Sequence, residues 1–242
     1  WRTTVWLTFL VNYETSLIQD IMDVSSISEA QQILLKNLNQ FDIEYFNYGI
    51  KLPSIYKKED PYIISGYDKK WIEHYMKERY YEIDSTVLYS FQNIAPVTWT
   101  DDHFNTCKKM REESKDAGLV HGVTYPIRGS TGEKGLLCIS SKDEISQEGA
   151  LYVNAMVPFF HNKVFELDLH KNVYFKIPEL TKKEEEFLKW MAVGKSNEDI
   201  AMIMGITYRT CVDYTNKLVK KFNGQNKNQV LGLAIMKGMI QL

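Results

Sequence analysis

Cysteine is scarce in this chain of 242 residues: Cys107, Cys138 and Cys211 are the only three. None pairs with another as C-x-x-C, so a disulfide framework and a cysteine metal clip are both excluded. A reducing cytoplasm is the expected compartment. Long hydrophobic runs are missing too. Apolar stretches such as Ala155-Met156-Val157-Pro158-Phe159-Phe160 stop far short of the ~20 residues of a spanning helix, so no membrane association is expected. The beginning, Trp1-Arg2-Thr3-Thr4-Val5-Trp6, lacks the charge order of a signal peptide and reads as a trimmed start. Neither a G-x-S-x-G elbow nor H-E-x-x-H occurs, and no histidines and cysteines stand at metal-ligand spacing. An enzyme, a metal site and a cofactor are therefore not expected. His74 and His121 are isolated and read as surface or core groups rather than bases. Gly129-Ser130-Thr131-Gly132-Glu133-Lys134-Gly135 has the composition of a phosphate loop but neither its order nor a following helix, and reads as a hairpin turn.

What is present is an ordinary globular composition, 44% hydrophobic, with its charge unevenly spread. Residues 171–242 hold 12 Lys/Arg against 7 Asp/Glu, a net +5, whereas residues 1–170 carry −7 and all five histidines. A basic tail on an acidic body suggests a nucleic-acid module joined to a second domain, although a solvated basic face would look the same.

The first ~165 residues mix helical and strand periodicities. Ser28-Glu29-Ala30-Gln31 reads as a capping box ahead of a helix with Ile33, Leu34, Leu38 and Phe41 on one face. Tyr45–Ile50 reads as a strand. Helices are expected over Asp68–Tyr80 and Asp102–Ala117, the second with Phe104, Cys107, Met110 and Ala117 on its stripe and Gly118 at its end. Strands follow at Val123–Arg128 and Leu136–Ser140. A long helix then covers Gln147–His170, kinked at Pro158. This interleaving suggests a sheet covered by helices on both faces. The pattern breaks at 171–179, which reads as a linker.

Beyond it, Thr181-Lys182-Lys183-Glu184 is a capping box opening a helix with Phe187, Leu188 and Met191 inward. Gly194 ends that helix, and Ser196 or Asn197 caps a second over Glu198–Met204. Gly205 supplies a tight turn, and Thr207 caps a third helix from Tyr208 to about Phe222. Two short helices across a glycine turn make a helix-turn-helix signature, the alternative being a plain αα-hairpin with a basic face. Cys211, Leu218 and Phe222 fall inward on the third helix. Arg209, Lys217, Lys220 and Lys221 supply positive charge for phosphates or base edges.

These residues resemble the LuxR-type helix-turn-helix domain: Leu180-Thr181-x-x-Glu184, Gly194-Lys195-Ser196-Asn197-x-x-Ile200-Ala201, Ile206-Thr207-x-x-Thr210 and Lys221-Phe222. The resemblance covers about residues 178–242. It implies DNA contacts from Thr207, Arg209, Thr210, Asp213, Tyr214, Lys217, Lys220 and Lys221. Cys211, Tyr214 and Lys217 depart from the usual Val, His and Asn.

In the first domain Tyr67, Trp71 and Tyr75 recur every four residues, followed by Asp84, Thr86 and Trp99. A receiver domain is not supported, since the acidic pair Asp101-Asp102 stands mid-chain where capping explains it. The aromatic set with its few polar handles suits a pocket for a mostly apolar ligand bearing a carbonyl and an amide. On the residues alone an aromatic core with a capping Asp is the plainer reading, and the two stay open. The spacing Trp71-x-x-x-Tyr75, Asp84, Trp99 and Gly122 resembles the acyl-homoserine-lactone-binding domain, the usual companion of this tail. By that resemblance Trp71 donates to the lactone carbonyl, Asp84 accepts from the amide N–H and Tyr67 donates to the acyl carbonyl. Tyr75 and Trp99 wall the pocket, and Thr86 adds a polar contact. Cys138 stands where a Ser or Thr often meets the acyl group, and Ser85 replaces the usual Pro after Asp84.

The expected molecule has an α/β N-terminal domain, an α/β/α sandwich around an antiparallel sheet, plus a small all-α helix-turn-helix domain. Residues 1–170 bind the autoinducer, 171–179 link and 180–242 bind double-stranded DNA. An N-acyl-homoserine lactone serves as signal rather than cofactor. A homodimer on a palindromic site, working with RNA polymerase, is the implied assembly. Without ligand, Asp84 is expected to be a buried carboxylate short of donors, and the empty receptor poorly stable.

Overall fold

In a computed structural model, residues 18–51, 61–171 and 176–240 are described. The opening residues Trp1–Trp6 lie outside them, and the expected linker 171–179 does so in part. The chain forms two compact units, Trp1–Gly129 with Glu133–Tyr174, and Ser130–Gly132 with Phe175–Leu242.

The first unit is built on a five-stranded sheet of order β2-β1-β5-β4-β3. Its strands are β1 (Tyr45–Lys51), β2 (Tyr62–Ser65), β3 (Val97–Thr98), β4 (His121–Arg128) and β5 (Lys134–Ser141). Every pairing is antiparallel. Side chains alternate across the sheet, so each strand serves two layers. From β1, Phe46, Tyr48 and Ile50 are fully buried on one face. Phe46 and Tyr48 meet Phe160 edge-on at 5.9 and 5.5 Å. Leu137 and Ile139 of β5 stand opposite Tyr48 and Phe46 and complete this layer. It packs beneath α1 (Ile27–Leu38) and α5 (Gln147–Leu167).

The other face carries Asn47, Cys138 and Thr124 in one cross-strand row. Above that row lie α2 (Lys69–Lys77), α3 (Ser85–Gln92) and α4 (Lys108–Asp116). The sheet is thus covered on both faces, as the interleaved periodicities imply.

Several local boundaries differ from the sequence reading. The cap of α1 is Ser26, which accepts from the Glu29 N–H at 3.2 Å, so the helix starts two residues before the expected Ser28 box. Helix α2 stops at Lys77 because Arg79 takes a left-handed φ of 56°, and Tyr80–Glu82 form a separate 3-10 turn. The segment 102–117 is not one helix. A 3-10 turn at Asp101–Phe104 is separated from α4 at Cys107, whose φ/ψ of −137°/45° is not helical. Phe104, Cys107 and Met110 are nonetheless buried together. The glycine-rich segment is a hairpin connection, with Arg128 opposite Lys134. Helix α5 contains Pro158 and ends at Leu167, followed by a 3-10 turn.

The second unit has four described helices: α6 (Lys182–Ala192), α7 (Asn197–Met204), α8 (Tyr208–Lys221) and α9 (Lys227–Met236). Thr181 and Glu184 form the expected capping box, and Ser196 caps α7 in a second box with Asp199. Gly205 ends α7 at φ +63°, a left-handed conformation that glycine adopts without strain. Thr207 caps α8. Phe187, Leu188, Met191, Ile200, Cys211 and Leu218 form the small core. Helix α9, capped by Asn226, closes it with Val230 and Ala234.

Candidate functional site

In the first unit, the loop leading into α2 and the helix itself place Tyr67, Trp71 and Tyr75 over the polar row of the sheet. Asp84 and Thr86 at the start of α3, Trp99 after β3, and Cys138 on β5 converge on the same space. All of them line one cavity, whose empty space of about 550 Å³ includes solvent at its mouth. Like small-molecule sites, it is largely apolar with a few fixed polar groups. Ile63, Ile72, Val87, Met110 and Leu136 supply apolar wall.

The polar groups are differently engaged. The Asp84 carboxylate is buried, and it caps α3. Its Oδ1 accepts from the Thr86 backbone N–H at 2.9 Å and the Thr86 hydroxyl at 2.7 Å, while Oδ2 accepts from the Tyr75 hydroxyl at 2.9 Å. This corrects the expectation of a carboxylate short of donors, because three come from its own chain. Burial still raises its pKa above the ordinary carboxylate value, against the lowering effect of the Thr86 and Tyr75 hydrogen bonds. Ser85 occupies the first helical position, where a proline would also fit.

Trp71 is nearly buried, and its indole N–H makes no hydrogen bond with another described residue. Its ring is held between Tyr75 at 6.0 Å and His74 at 6.1 Å. Behind it Glu113 accepts from the Tyr80 hydroxyl at 2.6 Å and lies 2.9 Å from His74 Nε2. His74 is thus tied down beside the cavity, and His121 is exposed at the start of β4. The phenols of Tyr67 and Tyr75 are pushed well above their usual pKa by burial, so both remain O–H donors.

Trp99 lies flat over Gly122. A β-carbon there would stand 2.5 Å from the ring, so only glycine admits it. The Trp99 indole N–H donates to Thr124 Oγ1 at 2.8 Å, and Thr124 Oγ1 lies 3.1 Å from Cys138 Sγ. Burial pushes the Cys138 thiol up to about 12, which keeps it protonated. Arg111 stacks on Phe104 at 4.7 Å and Trp99 at 5.8 Å, and its guanidinium donates to the Leu119 and Val120 carbonyls. Thr124, Arg111 and Asn47 did not emerge from the sequence. Only the strand register, which brings Thr124 and Asn47 opposite Cys138, reveals two of them.

In the second unit Arg209, Asp213, Lys217 and Lys220 are exposed on α8. Thr207 and Thr210 are joined through their hydroxyls at 2.9 Å at its N-terminus. Tyr214 is partly turned inward, its ring 5.4 Å from Phe187, with the Lys217 ammonium over it at 5.7 Å. Lys221 is also exposed, but it has partners within its own domain. Its ammonium donates to Glu184 Oε2 at 2.7 Å and to the Glu179 carbonyl at 2.9 Å. Glu184 is buried. Although desolvation opposes ionisation, the hydrogen bonds from Lys221 and Thr181 hold its pKa below the ordinary value.

Comparison with known families matches residues 26–164 to the autoinducer binding domain and residues 178–234 to the bacterial regulatory proteins of the luxR family. The chain belongs to the autoinducer-binding LuxR family of bacterial regulators. It is a transcriptional regulator with a ligand-binding domain and a DNA-binding helix-turn-helix, and not an enzyme. The family's transcriptional activator protein LuxR of Aliivibrio fischeri is 27% identical over 240 residues, covering 95% of each chain. Transcriptional activator protein PhzR of Pseudomonas fluorescens is 24% identical over 236 residues, covering 96% of this chain and 97% of its own. The fold is that of Escherichia coli SdiA, at a TM-score of 0.82 and 22% identity, covering 96% of this chain and 100% of the SdiA chain. Among the described residues of this LuxR-family chain, no helix is long and apolar enough to cross a membrane, and no acidic, His or Cys cluster could hold a metal ion.

Proposed function

We propose that this regulator binds an N-acyl-homoserine lactone in the cavity above the sheet and, as a homodimer, reads a palindromic DNA site. Residues 1–170 form the sensor, 171–179 the linker and 180–242 the DNA-binding domain, acting in the cytoplasm together with RNA polymerase. The observation that carries this reading is the convergence of Tyr67, Trp71, Asp84 and Trp99 on one largely apolar cavity. Trp71 offers an uncommitted N–H, suited to the lactone carbonyl. Asp84 is an acceptor held in place by Tyr75 and Thr86, suited to the ligand amide N–H. Tyr67 keeps its phenol proton and donates to the acyl carbonyl. A ligand with C=O and N–H groups a few bonds apart on an apolar chain satisfies all three.

On the DNA side, Arg209, Lys217 and Lys220 form the basic edge of α8, with Thr207, Thr210 and Asp213 beside them. Two such helices related by a dimer axis reach major-groove half-sites about one helical turn apart or a multiple of it. Tyr214 contributes chiefly by setting α8 against α6, and Lys221 by its tie to Glu184.

Replacing Trp71 by Phe keeps the apolar wall and deletes its N–H. Affinity for an acyl-homoserine lactone should fall roughly ten- to hundredfold, matching a lost hydrogen bond of about 1–3 kcal/mol. Calorimetry on the full chain measures it. A Trp71→Phe protein of lower stability but unchanged affinity would make Trp71 a core residue only.

A further inference from the structure

Among the described residues that line the cavity, Asn47 is the polar side chain of the sheet floor that the reading above leaves idle. It lies on β1 directly opposite Cys138 and lines the cavity. Its neighbours in the row are occupied, Thr124 by Trp99 and by Cys138, and Ser65 by the Tyr67 backbone N–H at 3.1 Å. Asn47 Oδ1 is buried without a hydrogen-bond partner among the described residues. A buried acceptor left in that state is costly, so its retention beside apolar wall calls for a partner from the ligand.

The position fixes which part of the ligand that is. Cross-strand neighbours place their β-carbons about 5 Å apart, so Asn47 lies one strand over from Cys138. Cys138 in turn shares the cavity wall with Tyr67 and Asp84. With the ligand amide held at Asp84 and the acyl carbonyl at Tyr67, the acyl carbons just beyond the carbonyl run over Asn47. An oxygen substituent there reaches the side-chain amide, whereas an unsubstituted methylene leaves it unsatisfied.

We propose that Asn47 selects an acyl chain bearing a hydroxyl close to the amide, the hydroxyl donating to the orphaned Oδ1. A ketone at the same carbon cannot donate, and gains only if the amide turns its N–H₂ inward. The inference rests on the proposed lactone ligand, and the test separates the two. Full-length protein is titrated with N-octanoyl, N-3-oxo-octanoyl and N-3-hydroxyoctanoyl homoserine lactone, and the same series is run on Asn47→Leu and Asn47→Ser. Wild type should bind the 3-hydroxy lactone about tenfold more tightly than the unsubstituted one, with the 3-oxo lactone weaker than the 3-hydroxy. Asn47→Leu, of similar size, should abolish or reverse that ratio while keeping the unsubstituted lactone. Asn47→Ser, whose hydroxyl is pulled back towards the strand, should lose most of the preference and covers the case in which the leucine variant fails to fold. Equal binding of all three lactones by wild type, a 3-oxo lactone bound more tightly than the 3-hydroxy, or a hydroxyl preference that survives both substitutions overturns the role of Asn47 alone. Wild type that binds none of the lactones overturns the proposed ligand as well.

Discussion

The carboxylate of Asp84 caps α3 through Thr86 and receives the Tyr75 hydroxyl, so the empty cavity is not left with a bare charge. Desolvation nevertheless raises its pKa in the folded state. The sign of the resulting linkage follows directly. Between the ordinary carboxylate value and the raised one, the folded protein holds a proton that the unfolded chain has released. Stability of the ligand-free protein should therefore fall as pH rises through that window and level off above it. Asp84→Asn keeps a capping side chain and removes the ionisation, so this part of the slope should vanish. Thermal melts across pH, on wild type and mutant, measure it. With an acyl-homoserine lactone present, the mutant's stabilisation should be smaller than that of wild type, because its acceptor is no longer charged. Equal ligand-induced shifts would leave Asp84 as a helix cap only. Gly122 is constrained from the other side of the cavity: Gly122→Ala drives a methyl into the Trp99 ring and should destabilise by about 1–3 kcal/mol, measurable by denaturant unfolding.

Among the elements, α8 has two faces with separable roles. Lys221 closes the buried Glu184 and the α6 capping box, whereas Lys220 is free on the surface. Lys221→Met should lower stability by about 1–3 kcal/mol, because it leaves a buried carboxylate with fewer donors. Lys220→Ala should leave the melting temperature unchanged and weaken binding to all duplexes alike. Sequence alone places both lysines at the same helix end, and only the tertiary position of Glu184 tells them apart. The same holds elsewhere. Long or sharply capped elements such as α5, α6 and β1 were legible because periodicity and caps agree. Strands β2 and β3 were not, being four and two residues long. The break at Cys107 was hidden because its side chain keeps the apolar stripe of a helix although its backbone leaves one. Helix α3 is only eight residues long, so a capping Asp84 did not by itself mark it out. Helix α9 has apolar residues around most of its circumference and so shows little stripe. Its cap Asn226 with Gln229 was the available signal. The residues assembled at the cavity stood out as an aromatic spacing pattern, but Thr124 and Asn47 depend on register between distant strands.

At the scale of the whole molecule, the charge asymmetry between a −7 body and a +5 tail fits DNA binding dominated by phosphate contacts. Observed affinity should fall with salt at roughly −0.9 in log–log slope per phosphate neutralised, and Lys220→Ala should make that slope shallower. Control by ligand adds a second requirement. If the lactone favours the DNA-binding form, it tightens DNA and DNA tightens the lactone by the same factor. The most direct test is a titration of the full-length protein against a palindromic duplex at fixed salt, with and without a saturating acyl-homoserine lactone, beside the Trp71→Phe variant. The account predicts tighter duplex binding with lactone in wild type and a response displaced to higher lactone concentration in Trp71→Phe. A duplex affinity identical with and without lactone, in a protein shown to bind the lactone, would contradict it.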